Sequence, residues 1–171
     1  MEQEFKNFEG VIIFLDGILE KIRNYAQHMD NQIQILVGIS SAIFVFSATQ
    51  FSEKGELFLL VLALFSICSV IIALFAIHPP RFMSKQGQQE SLMYNKKIIS
   101  FFSAKDYEKE ILRVIKDPRE IFQQYATEIY NLSRYYYRPK RTLFHVARLI
   151  LLLGFIFSFL SFIFSRLWFY F

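Results

Sequence analysis

Three stretches of the chain carry no charged residue. They are residues 33–51 (IQILVGISSAIFVFSATQF), Leu57–Ile77 (LFLLVLALFSICSVIIALFAI) and 149–165 (LILLLGFIFSFLSFIFS). At 1.5 Å of rise per residue these runs extend roughly 25–32 Å, about the thickness of a bilayer's hydrocarbon core. Each is therefore expected to be a transmembrane helix. The third is the shortest, and the sequence LWFYF after Arg166 supplies an aromatic interfacial anchor for it. The first two are joined by Ser52-Glu53-Lys54-Gly55-Glu56, which is long enough only for a tight helical hairpin.

The polar segments are also patterned as helices. Ahead of the first run, Ile12, Leu15, Leu19, Ile22 and Ala26 recur at helical spacing. After the second run, His78-Pro79-Pro80 ends the helix, because proline cannot continue it and restrains the residue before it. SKQGQQE (84–90) reads as a loop, and a helix is expected over 91–102. Ser103 with Asp106 three residues on marks a capped start for a helix through Lys116. Asp117-Pro118 with Glu120 marks another start. The apolar face of that helix is Ile121, Phe122, Tyr125, Ile129, Leu132 and Tyr136, and Pro139 is expected to interrupt or kink it. The sequence thus divides into an N-terminal helix (1–32), a membrane hairpin (33–77), a helical segment (78–148) and a third span with a short tail (149–171). The expected fold is an all-α integral membrane protein with three spans and a cytoplasmic helical segment between the second and the third.

Charge sets the orientation. Residues 78–148 hold 14 Lys and Arg against seven Asp and Glu, a net +7, whereas the hairpin loop is −1. Basic segments stay in the cytoplasm, so the long segment and the N-terminus are expected there, with the C-terminal tail outside. The N-terminal residues 1–32 carry −3 and lack the basic face that binds anionic lipid. They are expected to pack on the cytoplasmic segment or on a neighbouring subunit. The acidic first ten residues do not resemble a cleavable signal peptide.

Composition agrees with a lipid environment: 54% hydrophobic residues, mean hydropathy +0.31 and 21 Phe in 171 residues. The one cysteine, Cys68, excludes an intrachain disulfide and is expected to be a buried small hydrophobe. His28 and His78 stand alone, so no metal site is expected, and no cofactor either. No phosphate-binding Gly loop, Gly-x-Ser-x-Gly elbow or His-Glu-x-x-His is present. No acidic or basic residue lies within a membrane run, which argues against a proton relay, a voltage sensor or an ion-coupled transporter.

Two constellations remain. Small residues stripe each membrane run: Gly38, Ser41, Ala42, Ala48 and Thr49 in the first; Ala63, Ser66, Ser69, Ala73 and Ala76 in the second; Gly154, Ser158, Ser161 and Ser165 in the third. Such stripes allow close backbone approach and hydroxyl hydrogen bonds. They serve either helix packing within the protomer or a pore between subunits. The second constellation is the basic junction before the third span, with Arg134, Arg138, Lys140, Arg141 and His145 among three consecutive tyrosines. Basic residues there stop a helix at the membrane face. They also suit an anionic ligand or partner. Arg138 and His145 have in addition the Arg-x(4–6)-His spacing of HEPN ribonucleases.

The order of elements resembles the Pycsar-system effectors, transmembrane proteins of bacterial anti-phage defence. The resemblance runs from MDNQIQILVGISSAIFVF through the hairpin ending at Pro79 and YNKKIISFFSAKDYEKEI to IFQQYATEIYNLSRYYYRPKRTLFHVARLILLLGF. It implies activation by a cyclic pyrimidine nucleotide and impairment of the membrane. The chain is also similar to the membrane accessory proteins of type VI-B CRISPR systems, one group of which has a divergent HEPN motif near its C-terminus, where Arg138 and His145 fall. That resemblance implies a functional link to an RNA-guided ribonuclease. Either way the expected protein is a homo-oligomeric effector of the bacterial inner membrane that forms a pore and depolarises it. Two other readings stay open: a membrane-tethered HEPN-type ribonuclease, and a non-conducting anchor for a soluble partner.

Overall fold

A computed structural model describes residues 2–80, 82–83 and 90–168. Among them every regular element is helical: α1 (Glu2–Lys54), α2 (Leu57–Ile77), α3 (Asn95–Ile99), α4 (Ala104–Ile115), α5 (Pro118–Asn131), a six-residue π-helical segment (Leu132–Tyr137) and α6 (Arg138–Trp168). Three helical stretches are long and apolar enough to cross a membrane, within Phe8–Lys54, at Leu57–Ile77 and within Pro118–Leu167. Most of the loop expected over 84–90, and the end of the LWFYF anchor, lie outside the described residues.

The chain forms two compact units. Unit 1 comprises Met1–Gln27 with Arg81–Arg138, and unit 2 comprises His28–Pro80 with Pro139–Phe171. Helix α1 contributes to both. It contains no proline, and the apolar spacing that starts at Ile12 continues by threes and fours through Met29, Ile33, Leu36 and Ser40. Leu19, Ala26, Met29, Ile33, Leu36 and Ser40 are all buried on that seam. A repeat averaging 3.5 residues keeps one face of a helix against its partners. The helix ends at Gly55, which has φ +66 and donates its N–H to Phe51 O at 2.8 Å. That left-handed capping position suits glycine.

Unit 2 packs through small residues. On α2, Ala63, Ser66, Ser69, Ala73 and Ala76 are all buried. Ser69 Oγ donates to Ala147 O of α6 at 2.9 Å and lies 3.3 Å from Ser40 Oγ of α1. Ser158 Oγ donates to Phe58 O at 2.9 Å. Hydrogen bonds of this kind replace the hydrophobic drive that lipid does not supply. Phe65 packs on Phe157, and Phe58 meets Phe162 edge-on. Gly154 is where α2 comes closest: an added Cβ would lie 2.5 Å from Phe65 Cβ. Gly154→Ala is accordingly expected to lower the thermal midpoint in detergent, through a clash of about 1–3 kcal/mol. An unchanged midpoint would refute the close approach.

Several sequence expectations need correction here. In the first stripe Gly38, Ala42 and Thr49 are exposed and Ser41 and Ala48 half-buried, while the serines of α1 that pack within the protomer are Ser40 and Ser47. Cys68 is exposed on α2, because the small residues beside it occupy the buried side. The helix expected over 91–102 shrinks to α3, since Ser91 and Leu92 are held by side chains of α4 and α5. Tyr136 is exposed, because the π-helical segment shifts the register between α5 and α6. By contrast, both predicted caps form: Ser103 Oγ accepts from Asp106 N at 3.3 Å, and Asp117 Oδ1 accepts from Arg119 N at 2.9 Å.

Candidate functional site

Unit 1 holds a polar cavity of about 420 Å³ lined by Glu90, Lys97, Arg113, Glu120, Gln123, Gln124 and Thr127. Its walls come from α3, α4 and α5, with Glu90 from the chain ahead of α3. The two caps just described set the start of α4 and of α5, and so place Arg113 and Glu120 together. Arg113 Nη1 donates to Glu120 at 3.0 Å, while Nε and Nη2 donate to Glu110 at 3.1 and 2.7 Å. The hydrogen bond from Arg113 holds the Glu110 carboxyl below its ordinary range. Reciprocally, Glu110 raises the Arg113 guanidinium above its own. A guanidinium has five N–H donors, so three in use leave about two for a ligand.

Gln124 belongs both to the cavity and to a clamp. Its Oε1 accepts the Leu92 N–H at 2.7 Å, and Tyr107 OH donates to Leu92 O at 3.2 Å. One turn further along α5, buried Glu128 accepts a hydrogen bond from buried Ser91. Residues 91–92 are thus held by α4 and α5 on both backbone and side-chain atoms. With its carbonyl engaged, Gln124 has its NH₂ group left to offer. The cavity combines cationic, amide and carboxylate groups, and its volume lies within the range of small-molecule sites.

The residues nominated from sequence lie elsewhere. Arg134 sits in the π-helical segment, and Arg134 and Arg138 are exposed. Lys140 points the other way: its side chain is 4% exposed, with Nζ 2.6 Å from Asp30 Oδ1 of α1. Arg141 and His145 do come together. Arg141 Nε reaches His145 Nε2 and Arg148 Nη2 reaches Nδ1, each at 3.5 Å. Guanidinium groups only donate and a neutral imidazole accepts at one nitrogen, so the two contacts cannot both be hydrogen bonds at once. Arg138 lies two helical turns before His145. In the third span Gly154 and Ser158 are used in packing within the protomer, Ser161 is half-buried and Ser165 is exposed.

The π-helical segment has a local cause. Arg138 N–H bonds Ser133 O, five residues back. The next residue, Pro139, has no N–H, and in an α-helix its ring would strike the carbonyl four residues back. The wider turn accommodates the ring without ending the helix. Such segments recur at functional sites. The sequence drew attention to the tyrosines and arginines here, but gave no sign of the cavity. Its residues converge only when α3, α4 and α5 fold together.

Comparison with curated proteins and with solved structures gives no match. The family comparison does. Residues 14–165 match the Pycsar effector protein domain PycTM, covering all three spans and the whole segment between them. The chain therefore belongs to the Pycsar effector family, as a transmembrane effector of anti-phage defence.

Proposed function

We propose that the protein lies in the bacterial inner membrane with unit 1 in the cytoplasm, and that a cyclic pyrimidine nucleotide in the unit 1 cavity triggers homo-oligomeric pore opening and depolarisation. The observation that carries this reading is the cavity itself. Lys97 and the remaining donors of Arg113 suit a phosphate. Gln123, the Gln124 NH₂ group, Thr127 and the carboxylates of Glu90 and Glu120 suit the edge of a pyrimidine.

Opening requires a ligand that binds the open state more tightly than the closed one. Gln124 is placed to sense occupancy, because a ligand that engages it also acts on the clamp at residues 91–92. The basic residues Arg134, Arg138, Arg141 and His145 stand where α5 continues into α6, on the route to the third span. In unit 2, buried Ser47 Oγ and Ser66 Oγ find no hydrogen-bond partner among the described residues. Hydration of these hydroxyls on helix separation would offset part of the cost of opening, since each unsatisfied group costs about 1–3 kcal/mol. Ser161 and Ser165 remain available to a neighbouring subunit.

The test is binding of cyclic CMP and cyclic UMP to the purified protein, together with potassium leakage from liposomes carrying it. Nucleotide-stimulated leakage is expected. Lys97→Ala should weaken nucleotide binding about 10- to 100-fold, the loss of one charge-assisted contact of roughly 1.5–3 kcal/mol. Saturable binding untouched by Lys97→Ala would move the ligand out of this cavity. Leakage that ignores nucleotides would favour control by an RNA-guided nuclease. Cleavage of RNA by the purified protein, lost on His145→Ala, would instead revive the ribonuclease reading.

A further inference from the structure

The turn between α3 and α4 carries two large apolar side chains in full contact with solvent. Ile99 is 79% exposed and Phe102 101% exposed. Their neighbours point inward: Phe101 packs on the Tyr107 ring at 5.3 Å, and Lys97 Nζ lies over Phe101 at 5.9 Å. Ile98 and Phe101 are half-buried. The turn is therefore anchored on α4, and its outward side chains are held in place.

Two further features surround this pair. Residues 95–105 contain Lys96, Lys97 and Lys105, and the nearest acid, Asp106, accepts a hydrogen bond from Ser103 Oγ at 2.7 Å. Lys96 and Lys105 are exposed on either side of the turn. The backbone N–H groups of Ser100 and Phe101 are satisfied within the turn. Ser100 N bonds Lys96 O at 3.0 Å, Phe101 N bonds Ile98 O at 3.3 Å, and Ser100 Oγ donates to Lys97 O at 2.7 Å. Each internal bond lowers the penalty for moving that part of the turn out of bulk water.

We propose that this turn is a lipid-binding element that inserts Ile99 and Phe102 into the headgroup layer of an anionic bilayer, with Lys96 and Lys105 on the lipid phosphates. An apolar tip with a cation on either side is the pattern of an interfacial anchor. A protein partner would need roughly 800 Å² of matched surface on each side, far more than two side chains present. The element acts whether or not the unit 1 cavity is occupied.

A nitroxide label on the full-length protein tests this. The label goes on Ala104→Cys in a Cys68→Ala background, reconstituted in vesicles of phosphatidylcholine with phosphatidylglycerol. Collision with oxygen and with a water-soluble nickel chelate is compared with a label at Lys109→Cys on α4. At residue 104 the chelate is expected to be several-fold less effective than at 109 while oxygen remains effective. The joint substitution Ile99→Gln with Phe102→Gln should restore chelate access, leaving span insertion and helix content unchanged. Vesicles of phosphatidylcholine alone should restore part of it. Free access of both reagents at 104 in the parent protein would overturn the proposal in favour of a solvated turn. Low access of both would overturn it in favour of cover by protein, whether a second copy or a partner.

Discussion

Asp30→Leu will destabilise unit 2 more than any single substitution on the outer faces of its helices. Lys140 lies at the start of α6 with a side chain 4% exposed, and its ammonium is 2.6 Å from the Asp30 carboxylate. Removing Asp30 takes away the carboxylate nearest a buried ammonium, and breaking a buried pair in this way typically costs about 3–5 kcal/mol. The lower end is expected here, because the Asp30 side chain keeps 32% of its surface exposed. Lys140→Met alone should cost less, since it leaves a half-exposed carboxylate that water can solvate. The combination Asp30→Leu with Lys140→Met should recover most of the loss, because apolar replacement of a buried pair is often neutral. Unfolding midpoints in detergent for the four proteins give the coupling directly. Additive losses in the double variant would show that the pair does not hold α1 and α6 together.

That ion pair also marks how far the sequence could be read. The three spans were legible because 17 to 21 consecutive uncharged residues have few other homes. The starts of α4 and α5 were legible because Ser103 and Asp117 act within three residues of themselves. Lys140 was not legible. A lysine in a basic junction reads as solvated, and its partner is 110 residues away in the chain. The cavity was hidden for the same reason, since Lys97, Arg113 and Gln124 come from three helices. The short α3 follows from Gln124, Tyr107 and Glu128 capturing residues that local propensity would leave helical. The continuous seam of α1 was on view in the sequence. It was obscured by the change of character at residue 33, where an amphipathic stripe passes into a uniformly apolar run whose buried positions, after Ile33 and Leu36, are Ser40 and Ser47.

Deletion of Ser133 is expected to cost about 3 kcal/mol, and the further change Pro139→Ala to restore it. A π-helical turn is an α-helix with one residue too many, so removing one residue from Leu132–Tyr137 lets α5 and α6 join as an unbroken α-helix with both flanking faces in register. The deletion alone then leaves Pro139 within that helix, where its ring opposes the carbonyl four residues back. Replacing the proline removes the conflict. Pro139→Ala in the undeleted chain poses the opposite question. Without the ring, the segment is free to relax to α-helix, but only by turning α6 one residue, roughly 100°, relative to α5. Packing at Lys140, Ala147, Gly154 and Ser158 resists that turn. If the proposed opening passes through this segment, it needs a second arrangement that differs by a rotation of the third span, the kind of element through which two sites are coupled. The repaired deletion, lacking Ser133 and carrying Pro139→Ala, has only one. It is expected to insert, fold and bind nucleotide with parental affinity while nucleotide-evoked leakage falls to background. Leakage at the parental level in that protein would show that the signal reaches the membrane without passing through this turn.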